Sequence, residues 1–202
     1  MAKQVIISIG REFGSAGHVI AEVLAKRFEL PLYDHNLLEH LAEEKNFDHE
    51  LLRKYEEKPK LKVFTRTVKG HSSSFSDQIA RMQFKFLQDK ADKGESFIVV
   101  GRCSETMLNE NKNLISIFIL GDISCKIKRI KEIYNIESDD EAERLRVRKD
   151  WERKTYHNYH CKKKWGDSRN YHFSINSSKL GVEKTIDLLE QYIKERIAGF
   201  ED

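Results

Sequence analysis

Three glycines, Gly10, Gly14 and Gly17, fall between an apolar run, Val5-Ile6-Ile7-Ser8-Ile9, and a segment where Val19, Ile20, Val23, Leu24 and Phe28 recur at helical spacing. A glycine-rich turn from strand to helix aims backbone N–H groups and the positive end of the helix at one point, which suits a phosphate. The residues placed to contact that phosphate are Gly10, Arg11, Gly14, Ser15, Ala16, Gly17 and His18. The P-loop pattern (Gly, four residues, Gly-Lys, then Ser or Thr) fits in no register. With the helix setting the alignment, the lysine slot falls on Gly17 or His18. The hydroxyl slot then falls among His18, Val19 and Ile20, none of which carries a hydroxyl. A βα turn that merely packs tightly would use the same glycines.

Further along, Arg102 follows the apolar run Phe97-Ile98-Val99-Val100-Gly101 with almost no slack. A guanidinium held there binds a phosphate through two parallel N–H bonds. Its structural alternative is an ion pair with Asp34 or Glu105. Asp34 follows Tyr33, and it either accepts hydrogen bonds from a substrate or caps a helix starting near His35. Between Arg144 and Arg169 the chain is dense in charge, with Tyr156, Tyr159 and Trp165 interleaved. Such a run on a helix is usually a solvated face. Here, however, Arg146, Lys149, Asp150 and Arg153 share a face, and Arg148 lies on a neighbouring one. A helix that closes arginines onto phosphates stabilises the transferring group and excludes water. The residues expected to do so are Arg148 and Arg153, with Asp150 orienting them.

Other chemistries find little support. The eight histidines show no zincin spacing, and only His18 lies at the glycine-rich turn. Cys103, Cys125 and Cys161 are scattered without metal-ligand spacing, which fits a reducing cytoplasm. The N-terminal apolar run is too short for a signal segment or a membrane span, so a soluble cytoplasmic protein is expected. A net charge of +3 is too mild to imply a nucleic acid polymer.

The elements that must position these residues follow from the hydrophobic pattern. At 202 residues with 39% hydrophobic content, one α/β domain is expected over residues 1–202. Phe97–Gly101 and Leu114–Leu120 are continuous apolar runs, the mark of strands buried on both faces. Shorter strands are expected at Val5–Ile9, ending at Asp34, and at Tyr171–Asn176. Helices are expected over His35–Asn46, Asp48–Glu57, Asp77–Lys93, Asp122–Tyr134, Asp139 to about Lys164, and Val182–Ile197, with a short helical stretch after Arg102. Lys58–Ser76 reads as a polar, flexible connection. Alternating strands and helices predict a parallel sheet with ligands beyond its carboxyl ends. Gly10–Gly17, Asp34, Gly101-Arg102, Gly121-Asp122 and Asn176 all fall there.

Several linked motifs then resemble one family. They are Gly10-Arg11-Glu12-Phe13-Gly14-Ser15-Ala16-Gly17, Pro31-Leu32-Tyr33-Asp34, Val99-Val100-Gly101-Arg102-Cys103, and Lys149-Asp150-Trp151-Glu152-Arg153 with Tyr156 and Tyr159. To these are added Trp165-Gly166-Asp167, Asn170-Tyr171, and Asn176-Ser177-Ser178-Lys179-Leu180-Gly181. In this order the motifs resemble the cytidylate kinase-like family of P-loop proteins, a branch of the nucleoside monophosphate kinases. The resemblance implies a five-stranded parallel sheet of P-loop NTPase type flanked by helices, with an acceptor region over 35–93 and a helical lid over 139–169. It also implies ATP on the Gly10–Gly17 loop, magnesium bridging the donor phosphates, and a small nucleotide acceptor, CMP or dCMP, held by Asp34 and Arg102. No membrane or nucleic acid partner is implied. The chain departs from the family in lacking the lysine and its neighbouring hydroxyl, which Arg11, His18 or a lid arginine would have to replace. It also has Cys103 where cytidylate kinases carry Asp, and Glu105 is the carboxylate expected to take over toward the metal. The missing lysine keeps two further readings in view: a kinase for another small molecule, and a nucleotide-binding regulator without catalysis.

Overall fold

Ile6–Arg11 forms β1, and its residues alternate between two buried faces, as the pleat of a strand requires. Ile7 and Ile9 join Ile20 and Leu24 of the first helix, α1 (Gly17–Phe28), and Ile186, Leu189 and Ile193 of the last. On the opposite face Ile6 packs with Tyr33, Leu37, Phe86, Leu87, Phe97 and Val99. Each fully buried Ile, Leu or Phe of these layers contributes about 1.5–3 kcal/mol. The computed structural model describes residues 3–34, 37, 67–68, 71–72 and 75–200.

In chain order the remaining elements are β2 (Leu32–Tyr33), β3 (Thr67–Val68), β4 (His71–Ser72), α2 (Phe75–Asp92), β5 (Phe97–Val100), α3 (Ser104–Met107), β6 (Leu114–Leu120), α4 (Ile123–Tyr134), α5 (Asp139–His160), a 3₁₀ turn (Ser168–Asn170), β7 (Phe173–Asn176), α6 (Ser177–Leu180) and α7 (Val182–Ala198). The five strands β2-β5-β1-β6-β7 form one sheet with every neighbouring pair parallel. This is the expected sheet, with β1 at its centre and helices on both sides. Its carboxyl edge gathers Arg11, Asp34, Gly101 and Asn176, where ligands of open parallel sheets sit.

Two expectations need correction. The stretch Lys58–Ser76, read as a polar, flexible connection, contains an antiparallel pair, Thr67–Val68 with His71–Ser72. Two-residue strands are too short to show a period, so the pattern could not report them. The helix Ser177–Leu180 was not expected either; Asn176 caps it by accepting the Ser178 N–H. Apart from Leu37, the expected helices His35–Asn46 and Asp48–Glu57 lie outside the described residues. Among the described residues no helix is long and apolar enough to cross a membrane.

A third cluster bears directly on the site. Phe13, in the turn after β1, packs with Ile130 of α4 and Ala142 of α5. α5 carries few apolar residues and has a polar character over most of its length. It is held at this end by that small cluster and by polar bonds to the turn, and at its far end by contacts of His157 with Glu105, Tyr159 with Asp77 and His160 with Phe84.

Candidate active site

The turn after β1 is shaped by two residues in the left-handed region, Gly14 (φ 83°) and Ala16 (φ 63°). α1 begins at Gly17, directly after Ala16, and Ala16 offers no side-chain cap. The first N–H groups of a helix have no partner within it, so those of α1 open into the turn. With Gly17 as first helical residue, the lysine slot of the P-loop pattern is Gly17 and the hydroxyl slot is His18.

Arg11 occupies the space that a lysine at Gly17 would need. A Cβ built on Gly17 would lie 2.4 Å from Arg11 Cβ and 3.0 Å from Arg11 Cγ. A Cβ on Gly101 would lie 2.2 Å from Arg11 Nη1. The arginine stem therefore crosses one bare glycine and its head rests on another. Burial, then the charges of Arg153 and Arg102, push the Arg11 guanidinium well below its usual range, with Asp34 and Tyr171 acting in the opposite sense. Three arginines thus lie within electrostatic reach of one another at the sheet edge.

The turn is tied down from several sides. Lys126 Nζ and the Gly121 N–H donate to Glu12 Oε2 at 2.7 and 3.1 Å. Arg129 donates to the Gly14 carbonyl and Ser177 Oγ to the Ser15 carbonyl, both at 2.7 Å. The Ser15 hydroxyl donates to the Glu12 carbonyl at 2.9 Å, so Ser15 serves the turn's own shape. Its backbone N–H donates to the same carbonyl at 3.4 Å.

Arg102 stands in a strained turn. Gly101, Arg102 and Cys103 have φ of 75°, 58° and 56°. Two consecutive non-glycine residues in this region cost about 1–3 kcal/mol each and mark sites where geometry outweighs stability. The Ser104 N–H and hydroxyl both donate to the Gly101 carbonyl, at 3.1 and 2.7 Å, and pin the turn. Asp34, only 5% exposed, lies 3.4 Å from His18 Nδ1 and within the field of Arg11.

α5 lies against this edge. Asp150 Oδ1 accepts the Phe13 N–H at 2.7 Å, and its other oxygen accepts from Arg146 at 3.2 Å. Burial raises the Asp150 pKa, opposed by the Phe13 N–H and by Arg153. Arg153 donates to the Arg11 carbonyl at 3.3 Å and lies over the Phe13 ring. Asp150 and Arg153 thus meet the glycine-rich turn. Arg148 does not join them: its side chain is 65% exposed, with Glu152 at 4.0 Å. Arg146 is the arginine that bonds Asp150. Of the face read from the spacing, Arg146, Asp150 and Arg153 lie at the turn, whereas Lys149 pairs with Glu152 at 3.2 Å and Arg148 points away.

Glu105 is turned elsewhere. Its Oε1 lies 2.6 Å from His157 Nε2, and it is 4% exposed. The reading of the cysteines as scattered is also corrected. Cys103, His157 and Cys161 come together in space, with one donor atom of each within 4.8 Å of the others. The one signal in the sequence was the four-residue step from His157 to Cys161, which puts both on one face of a helix.

The model of the cytidylate kinase-like family matches residues 6–179. An uncharacterized protein from Eubacterium ventriosum is 37% identical, with a TM-score of 0.72 over 95% of this chain and 99% of that one. Shikimate kinase from Bacteroides thetaiotaomicron shares the fold at 12% identity and a TM-score of 0.54, over 94% of this chain and 98% of that one. Shikimate kinase from Acinetobacter baumannii, solved with shikimate, does so at 10% identity and a TM-score of 0.51, over 96% and 95%. No curated protein matches the chain. With the fold of the P-loop kinases and a family match over most of its length, the chain belongs to the cytidylate kinase-like family.

Proposed function

We propose that this protein transfers the γ-phosphoryl group of ATP to a nucleoside monophosphate, with CMP or dCMP as the leading acceptor. The observation that carries the reading is Arg11, whose stem fills the lysine slot above Gly17 and whose head faces the same edge as Arg102 and Arg153. A cation is thereby supplied where the family's lysine would stand, but from the first residue of the loop rather than the seventh. This argues against the regulator reading, which rested on the missing lysine.

The roles follow from position. The N–H groups of Gly14, Ala16, Gly17 and His18 cradle the donor phosphates, while those of Glu12 and Phe13 are taken up by Ile119 and Asp150. Arg11 stabilises charge on the group in transfer, and Arg153 of α5 does the same from the opposite side. Asp150 fixes α5 to the turn through the Phe13 N–H and orients Arg146. Arg102, held rigidly by its turn, grips the acceptor phosphate. An ionised acceptor phosphate is itself the nucleophile, so no strong general base is needed.

Magnesium takes oxygen ligands and relies mostly on substrate phosphates with one or two carboxylates. The Asp34 carboxylate fits this by place, since it lies at the sheet edge beside His18 in the hydroxyl slot, whereas Glu105 lies against His157 of α5. Asp34 would hold the ion, which when bound neutralises charge on the donor phosphates.

The test is ADP release from ATP and magnesium with each nucleoside monophosphate in turn, against ATP alone. Stimulation by CMP or dCMP is expected. Stimulation only by an acceptor outside this class would establish a different kinase. ATP binding with no acceptor-dependent release would refute the phosphotransferase reading.

A further inference from the structure

Cys103 closes the left-handed turn after β5, and His157 and Cys161 lie four residues apart at the end of α5. Two thiol sulfurs and an imidazole nitrogen lie within 4.8 Å of one another, and all three residues are buried. In a tetrahedral zinc site, with Zn–S about 2.3 Å and Zn–N about 2.0–2.1 Å, donors stand roughly 3.4–3.8 Å apart. The cluster needs to close by no more than about an ångström to reach that spacing. Glu105, buried against the His157 ring at 2.6 Å, is the carboxylate that fixes the ring's orientation, as the outer partners of metal-bound histidines do.

We propose that Cys103, His157 and Cys161 bind one thiophilic divalent cation of the zinc class. Binding releases the two thiol protons to solvent and leaves a thiolate pair facing the ion, with the fourth position falling to water. The donors come from two separate segments, the turn that carries Arg102 and the helix that carries Arg153. The ion therefore ties the end of α5 to the Arg102 turn. Its role is to hold these elements together, and the proposal does not rest on the kinase reading.

The experiment uses the full chain, kept reduced, stripped of metal with a chelator and titrated with Co²⁺. One equivalent should produce a thiolate-to-cobalt charge-transfer band in the near ultraviolet and the strong visible bands of tetrahedral cobalt. Zn²⁺ should then displace the Co²⁺. Cys161→Ser and His157→Asn should each lose these bands, and Cys125→Ser should keep them. Glu105→Gln should weaken binding about 10–100-fold. Zn²⁺ should also raise the Tm of the wild-type chain, by a shift that Cys161→Ser loses. Three outcomes would overturn the proposal: a cobalt spectrum without the charge-transfer band, bands retained in Cys161→Ser, or a Cys103–Cys161 disulfide formed by a chain that takes up no metal when reduced. The wild-type titration decides the matter even if a variant fails to fold.

Discussion

Exchanging residues 11 and 17 tests whether Arg11 stands in for a P-loop lysine. Gly17→Lys alone places a Cβ 2.4 Å from Arg11 Cβ, where carbon contacts settle at about 3.5–4.0 Å. Arg11 Cβ is fixed to the backbone of β1, so no rotamer change relieves the overlap. Overpacking of this kind costs about 1–3 kcal/mol and displaces the loop. Arg11→Gly alone removes the cation and should lower kcat by about 10²–10³-fold, equivalent to about 2.7–4 kcal/mol. The double variant Arg11→Gly/Gly17→Lys vacates the space and fills it from the other side. It restores the order of the common P-loop at the lysine slot. The two substitutions should therefore couple by about 0.5–3 kcal/mol, the range for residues in contact. The double variant should recover at least about tenfold of the activity that the Arg11→Gly single variant loses, since 1.4 kcal/mol is a factor of ten. Acceptor-stimulated ADP release gives the kinetic cycle. Thermal unfolding gives a second cycle that needs no substrate: Arg11→Gly/Gly17→Ala should recover stability lost by Gly17→Ala. Losses that add to within about 0.3–0.5 kcal/mol, or a Gly17→Lys chain as active as the wild type, would refute the reasoning.

Three further perturbations separate the roles at the sheet edge. Arg102→Ala should raise the acceptor KM by at least tenfold with a smaller effect on ATP, and Arg102→Lys should not restore it, because an ammonium cannot bind two phosphate oxygens in parallel; an unchanged acceptor KM would exclude the role. Arg153→Ala should lower kcat by about 10³-fold or more, in the range of arginines that stabilise transferring phosphoryl groups, whereas Arg148→Ala should stay within about twofold; steady-state kinetics that reverse this order would exchange the two assignments. Asp150→Asn keeps an oxygen for the Phe13 N–H and removes a carboxylate whose pKa burial raises. A raised folded-state pKa means that the native chain binds the proton more tightly, so this group favours folding at low pH and loses that contribution as pH rises through the raised value. The Tm of the Asn variant relative to wild type should accordingly be highest near neutral pH and shrink on acidification; a deficit largest at neutral pH would contradict it.

Much of the fold was legible because its central strands are buried on both faces. Phe97–Val100 and Leu114–Leu120 read as unbroken apolar runs for that reason, and their boundaries match to within a residue. Ile186, Leu189 and Ile193 likewise lie inward on α7, as their period requires. The site was legible only as a set of strand ends. The turn glycines read as a way for backbone to approach a phosphate, but Gly17 and Gly101 also make room for the side chain of Arg11. That contact depends on where one arginine points, and no spacing rule carries such information. The same limit applied to Arg148, where helical geometry offered two adjacent faces and only the docking of Phe13 against Ile130 and Ala142 decides which one meets the loop. Cys103 and His157 belong to segments far apart in sequence, and only the packing of α5 against the Arg102 turn joins them.

The placement of the arginines gives the edge its chemical direction. Arg11 is half-buried, and the neighbouring charges of Arg153 and Arg102 act against its ionised form. Near a protein surface, two unit charges about 4 Å apart interact by about 4 kcal/mol, so a cluster of like charges is costly unless something opposes it. The Asp34 carboxylate opposes it in part. A phosphate carrying about two negative charges would oppose it further, and would do so without any rearrangement of the groups that hold it. The strained Arg102 turn, the glycine under Arg11 and the bond from Phe13 to Asp150 each restrict one of these groups to its position. Stability is spent at this edge on holding cations close together, which is the charge that the proposed phosphoryl transfer calls for.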